Sequence, residues 1–235
     1  MRCPMKEIRI LHLLPRLLSL YGEYGNVAVF ASELRKAGYQ VTVDTWENDD
    51  LNLDYDFIYI GSGTEDNLLE ACRRLMPHSD AMTASIQRNV WLATGNAMTL
   101  FGASITRGEK IIPALNLLPY TSAIVDGKRF LGDALTENDM IGFINTSSVY
   151  EGITTPLFKL LLNPSLGNDK KSPDDGIQDA KFYGTQLIGP LLVKNPLFME
   201  KLAAGITGKP LFLSPDSNIR KAYDVSLNEL KKRIQ

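Results

Sequence analysis

Cysteine and histidine are scarce: the 235 residues hold only two of each, Cys3, Cys72, His12 and His78. So few thiols exclude a disulfide framework or a cysteine-rich metal site, and no metal or cofactor is expected. A reducing compartment fits. The chain also lacks a strong charge of either sign, with a formal net charge of -2, so bulk electrostatics attract neither nucleic acid nor an anionic membrane. No apolar run approaches the roughly 18 residues of a membrane span, and Met1 to Glu7 lack the apolar stretch of a signal peptide. The cytoplasm is the expected location. No internal repeat is visible, and the one biased segment, 163–181, rich in Asn, Asp, Lys, Pro and Gly, reads as a flexible surface loop.

What remains is the composition of an ordinary globular protein, 44% hydrophobic and 22% charged, long enough to bury a sizeable core. Strand-like and helix-like patterns alternate through the first hundred residues. Ile8 to Leu13 reads as a first strand; Val27, Phe30, Leu34 and Ala37 then recur at helical spacing, ended by Gly38. Val41 to Thr45 and Asp56 to Ile60 are the next strands, the latter running into Gly61-Ser62-Gly63. Helices follow over 66–76 and 82–88. Such alternation predicts an α/β fold with a central, mostly parallel sheet and helices on both faces. Strands over 123–125, 140–145 and 182–188 are expected to extend this sheet with antiparallel members. A helix over 196–204 and a terminal helix within 214–235, with Leu227, Leu230 and Ile234 on one face, complete the pattern.

One stretch stands apart. Residues 89–102 read as a buried strand, a sharp turn and a helix start, the layout of a nucleophile elbow, in which the apex residue carries an oxygen or sulfur nucleophile above the end of a parallel sheet. The apex here is Gly95, which carries none.

Three stretches together resemble the class I glutamine amidotransferases of the cobyric acid synthase type, and most closely the glutaminase subunits of lipid II isoglutaminyl synthase. Leu20-Tyr21-Gly22-Glu23-Tyr24-Gly25-Asn26 is similar to the family's Leu-Tyr-Gly-Asp-Arg-Gly-Asn run. Ile60-Gly61-Ser62-Gly63 and the elbow match a glycine-rich turn and a Cys-Gly-Gly apex that form the oxyanion hole and nucleophile. Gly184 to Leu192 is similar to Gly-Thr-Tyr-Leu-His-Gly-Pro with its apolar continuation. Weaker agreement comes from Gly142-Phe143-Ile144-Asn145 and from Arg129, where the family has an arginine facing the glutamine pocket. The resemblance spans about residues 7–205. It implies a flavodoxin-like class I glutamine amidotransferase domain over 1–207 followed by a C-terminal extension, 208–235.

Carried over position by position, the resemblance leaves the scaffold and removes the chemistry. Gly95 stands at the cysteine, Asn96 and Ala97 at the two glycines, Ile144 at the glutamate of Gly-Phe-Glu-Asn, and Ile188 at the histidine. The family's reaction needs a thiolate and an imidazole, so no catalytic residue is assigned here. Glycine at the apex relieves strain that an elbow holds for its activity, and a Gly95→Cys, Ile188→His double exchange is expected to fold if the two positions are neighbours. The remaining ligand-binding candidates are Gly61, Ser62, Gly63, Thr94, Gly95, Asn96 and Arg129, for a small amide or amino acid. The resemblance also implies a protein partner, a Mur-ligase-like synthetase.

The bland readings compete with each candidate. Glu65 and Asp66 disfavour phosphate at the Gly61–Gly63 turn. Thr94, without a visible base, reads as a helix N-cap. Arg129 suits a carboxylate or carbonyl ligand and equally a surface ion pair. His12 reads as a satisfied core histidine, His78 as a solvated loop residue and Cys72 as buried and inert. The basic residues 231–233 complement a helix C-terminus. Glu23, Glu65 and Asp66 are the acids available to an enzyme of different chemistry.

Overall fold

The structure, a computed structural model, describes residues 7–234; Cys3 and the segment before Glu7 lie outside the described residues. From the amino end run β1 (Glu7–Leu13), α1 (Tyr24–Lys36), β2 (Gln40–Trp46), β3 (Phe57–Ile60), α2 (Glu65–Leu75), α3 (Ser79–Ile86) and β4 (Val90–Thr94). A 3-10 turn over Gly95–Leu100 leads to β5 (Ser104–Arg107), β6 (Lys110–Pro113), β7 (Thr121–Ile124), β8 (Phe130–Thr136), β9 (Ile141–Thr146), β10 (Ser148–Glu151) and β11 (Phe158–Leu162). Then come β12 (Asp174–Asp175), β13 (Ile177–Asp179), β14 (Phe182–Thr185), β15 (Leu187–Ile188), α4 (Leu191–Lys194), α5 (Pro196–Thr207) and α6 (Asn218–Lys231).

The first half folds as its pattern requires. β2, β1, β3, β4 and β14 pair in parallel in that order, with β13 antiparallel at the far edge. Both faces are covered, so side chains of one strand feed two cores by strict alternation. Ile58, Ile60, Trp91 and Ala93 enter the core under α2 and α3. Phe57, Tyr59, Val90 and Leu92 enter the other, under α1 and α5. α1 buries Val27, Phe30, Ala31 and Leu34, one face of a helix. It stops at Gly38, whose φ of +90° only glycine adopts freely. Cys72, on α2, is buried in the first of these cores, and burial pushes its thiol up to about 11.

The second half departs from expectation in two ways. Of the later strands only β13 and β14 extend the main sheet, β14 in parallel rather than antiparallel; those over 123–125 and 140–145 do not. β7 belongs to a separate sheet ordered β10-β7-β5-β6, and β9 to another ordered β12-β11-β8-β9-β15. Even 182–188 is two strands: Thr185 pairs with Thr94 in parallel, while Leu187 pairs with Ile144 antiparallel. Hydrophobic alternation reports which face is buried, not which strand is the partner. Second, the stretch expected as a featureless loop, 163–181, carries β12, β13 and a 3-10 turn, and sinks Asn168, Asp175 and Ile177 into the interior.

Beyond α5 the chain returns across the third sheet. Ser217 caps α6, accepting the Arg220 N–H, and Tyr223 and Leu227 pack with Leu135, Ile141 and Leu162. Ile234, expected on that face, is 41% exposed. The basic end is held by ion pairs rather than by the helix terminus alone: Lys231 meets Asp139 at 2.8 Å and Arg233 meets Asp133. Among the described residues no helix is long and apolar enough to cross a membrane.

Neither histidine behaves as expected. His78 is half-buried with its ring edge-on to Trp46 at 5.5 Å. His12 is only 4% exposed, packs on Tyr59, and leaves its Nε2 without a hydrogen-bond partner. Burial lowers its pKa from 6.5 to about 4. A group that resists protonation in the folded state stabilises fully above its unfolded pKa and loses that contribution as pH falls. The His12 share of the unfolding free energy, read in urea titrations as the difference between the parent and His12→Leu, should therefore decline between pH 6.5 and pH 4 by up to about 3 kcal/mol; the same pH slope in both proteins would contradict this account.

Candidate functional site

Because β1, β3, β4 and β14 run in parallel, the loops after them converge at one edge of the sheet, where open α/β sheets carry their sites. Gly95 is the apex after β4, with φ +62°. A Cβ built on it would fall directly on Ser62 Oγ and lie 2.6 Å from Ile188 Cγ2. The structure thus brings Gly95 and Ile188 together and adds Ser62, whose hydroxyl donates to the Thr94 carbonyl at 3.4 Å. Ser62, Thr94, Asn96 and Ile188 are all at most 4% exposed. The space above the apex is filled by the chain's own side chains.

Asn96 closes the neighbouring turn. Its Oδ1 accepts the Gly63 N–H at 3.1 Å and its Nδ2 donates to the Gly63 carbonyl at 2.7 Å. Thr64 caps α2 instead, accepting the Asn67 N–H at 3.2 Å.

Thr94 precedes the 3-10 turn, but its side chain caps nothing. It points the other way, into a buried polar hub. The Thr94 hydroxyl donates to Glu23 Oε2, and the Tyr59 hydroxyl donates to the same oxygen at 2.8 Å. Glu23 Oε1 accepts the Gly189 N–H at 3.0 Å. Burial raises the Glu23 carboxyl above the usual range, against the pull of Thr94, Gly189, Tyr59 and the Lys194 ammonium. A hydroxyl beside a carboxyl is a pairing used in nucleophilic catalysis. Here Thr94, Tyr59 and Glu23 are all fully buried, which leaves no room for a substrate in this arrangement.

The two sequence runs flanking the elbow interlock. Asn26 donates to the Tyr59 hydroxyl at 2.9 Å and accepts the Leu192 N–H at 2.7 Å. A Cβ on Gly25 would lie 2.8 Å from Pro190 Cγ, so only glycine lets these segments touch.

Arg129 lies apart from this arrangement, half-exposed, 3.1 Å from Glu65 at the start of α2. Burial alone would raise the Glu65 carboxyl, but the Ser147 hydroxyl, its own N–H and Arg129 hold it below the usual range. The surface ion pair is the arrangement observed. Asp66 is also paired, with Arg107 at 2.8 Å.

Sequence reasoning missed a second buried polar group, within 163–186. Asp175 is fully buried and accepts the Thr185 hydroxyl at 2.5 Å and Gln186 Nε2 at 2.9 Å. The Lys170 ammonium contacts Gln186 Oε1 and the carbonyls of Leu166 and Gly167, at 3.1 and 3.0 Å. Burial lowers Lys170 to about 8 and raises Asp175. Polar composition disguised this segment as a loop; an Asp five residues after a Lys was its only signal. No group of metal-binding side chains occurs among the described residues.

The fold that carries this arrangement is one found in solved glutamine amidotransferase structures. The fold is shared with one chain of the PurLQS structure from Thermotoga maritima, at TM-score 0.51 and 14% identity over 87% of this chain and 99% of that one. A crystal structure of a glutamine amidotransferase matches at TM-score 0.51 and 12% identity over 83% and 98%. In sequence, the chain is similar to GatD, a subunit of the glutamine-hydrolysing lipid II isoglutaminyl synthase. It is 26% identical to the Staphylococcus aureus subunit over 203 residues, 81% of each chain, and 25% identical to that of Streptococcus pneumoniae over 204 residues, 80% of this chain and 76% of the relative. No family model matches.

Gly95→Cys tests the packing at the apex. Left-handed backbone under a side chain and the overlap with Ser62 and Ile188 together should cost about 2–5 kcal/mol in a thermal or urea melt. Since Ser62 is part of the filling, the double exchange with Ile188→His is not sufficient to make room. Adding Ser62→Gly should recover the packing share, and no recovery would show that Ser62 is not what blocks the apex.

Proposed function

We propose that the chain is a non-catalytic glutamine amidotransferase-like subunit, of the cobyric acid synthase type and related to the glutaminase of lipid II isoglutaminyl synthase, that acts by binding a partner. The observation that carries this reading is the apex itself: Gly95 offers no nucleophile, and Ser62 and Ile188 occupy the space that a thiol and an imidazole would need. The parallel strand order β2-β1-β3-β4-β14 supports a flavodoxin-like class I domain with a long insertion before its last parallel strand. Its partner would be a Mur-ligase-like synthetase in the cytoplasm, since the relatives it resembles are named as subunits.

A second reading, an enzyme of different chemistry, draws on the Thr94–Glu23 contact. A third is a sensor that still holds glutamine or a related amide through Arg129, the Gly61–Gly63 turn and the turn that starts at Gly95, with Thr94 and Asn96 beside it. The burial of Thr94 and Glu23, and the engagement of Gly63 by Asn96 and of Arg129 by Glu65, weigh against both.

Ammonia release from glutamine, measured on the purified chain alone and with a co-expressed synthetase partner, decides the main point. The expected rate is background in both. Release that disappears in Glu23→Gln or Thr94→Val would establish the second reading instead.

A further inference from the structure

Asn96 meets Gly63 in a particular way. A primary carboxamide presents one acceptor and two donors, and Asn96 uses both ends on the backbone of one residue, its oxygen on the Gly63 N–H at 3.1 Å and its nitrogen on the Gly63 carbonyl at 2.7 Å. A carboxylate could satisfy the first contact but would set an oxygen against the carbonyl in the second, so the pairing distinguishes amide from acid. Gly63 has no alternative partner to offer and no freedom to gain a side chain. A Cβ there would collide with Leu18 Cδ2 and stand 3.0 Å from the Leu17 carbonyl, so Leu17 and Leu18 pack closely against this residue.

Two other asparagines make the same clasp. Asn168 holds the N–H and carbonyl of Gly176 at 2.9 and 2.8 Å, and Asn195 holds those of Ile141 at 2.8 Å each. The device therefore serves structure elsewhere in the chain. What sets Asn96 apart is its place, next to the apex glycine and facing the turn after β3, at the strand ends where the parallel sheet would receive a ligand.

We propose that Asn96 is an internal ligand: its carboxamide occupies a primary-amide site on Gly63 and closes that site to free amides. The inference rests on the reading of the chain as a filled amidotransferase scaffold. It adds that the filling includes a mimic of the amide group, so glutamine is kept from binding by competition, besides meeting no nucleophile at Gly95. Removing the side chain leaves one donor and one acceptor of Gly63 unpaired in a space the size of a small amide. An empty polar niche of this kind is costly, and an added amide that fits it recovers the loss by mass action.

The test is chemical rescue. Thermal midpoints of the full chain and of Asn96→Ala, Asn168→Ala and Asn195→Ala are titrated with acetamide, glutamine and glutamate, and the Gly63 amide resonance is followed by NMR. All three variants should melt lower than the parent. Acetamide should raise only the Asn96→Ala midpoint, saturably and by most of the loss, and should shift the Gly63 resonance only in that variant; glutamine should act in the same direction and glutamate should not. If Asn96→Ala does not fold, Asn96→Ser, which keeps a hydroxyl near the Gly63 N–H, takes its place. Rescue of all three variants alike, rescue of none, or saturable binding of glutamine to the parent would each overturn the proposal. Ammonia release is measured separately on the parent: its appearance would overturn the non-catalytic reading whatever the rescue shows, and a failed rescue without ammonia would remove only the internal ligand.

Discussion

A carboxyl group with no exposed surface must find donors or stay neutral, and Glu23 is such a group. It sits in the turn before α1 and gathers donors from β3, β4 and the segment after β15: Tyr59, Thr94 and the Gly189 N–H. Those contacts fix how the loops at the sheet edge stand relative to one another. Asn26 repeats the arrangement one turn further on, tying Tyr59 to Leu192. The elbow, the glycine turn and the Gly189-Pro190 corner are consequences of this knot.

The knot also explains which sequence features persist without the chemistry they resemble. The run 20–26 and the run 184–192 look like two halves of an active site, yet their polar residues bind each other. Glu23 answers Gly189, Asn26 answers Leu192, and Gly25 makes room for Pro190. Losing these contacts would orphan buried donors at a cost of about 1–3 kcal/mol each. Gly95 and Ile188, where the resemblance would put a thiol and an imidazole, carry no such obligation. Glycine at the apex accepts the left-handed backbone without strain, and Ile188 together with Ser62 closes the space between them.

How much of this could be read from the sequence depends on where the deciding interaction lies. The parallel half was legible because the unbroken apolar runs Phe57–Ile60 and 90–93 report burial on both faces, and Gly38 marks the end of α1. The pairing of Gly95 with Ile188 followed from the resemblance, since they lie 93 positions apart in the chain. Ser62 as a third member, and Asn96 as the partner of Gly63, were not legible, because hydroxyls and amides show no periodicity that reveals a remote partner. The same holds for Asp175, Lys170 and Gln186, whose polarity suggested a solvated loop although Asp175 has no exposed surface. The assignment of 123–125 and 140–145 to the main sheet failed for a related reason: strand patterns do not name their neighbours.

The central claim is that no side chain at this sheet edge can act as a nucleophile toward a glutamine-like substrate. An electrophilic glutamine analogue that alkylates an activated thiol or hydroxyl tests it most directly, read by intact mass and peptide mapping after incubation with the folded chain. The account predicts the unmodified mass under conditions that fully label an active glutaminase. A stoichiometric adduct on Thr94 or Ser62 would contradict it.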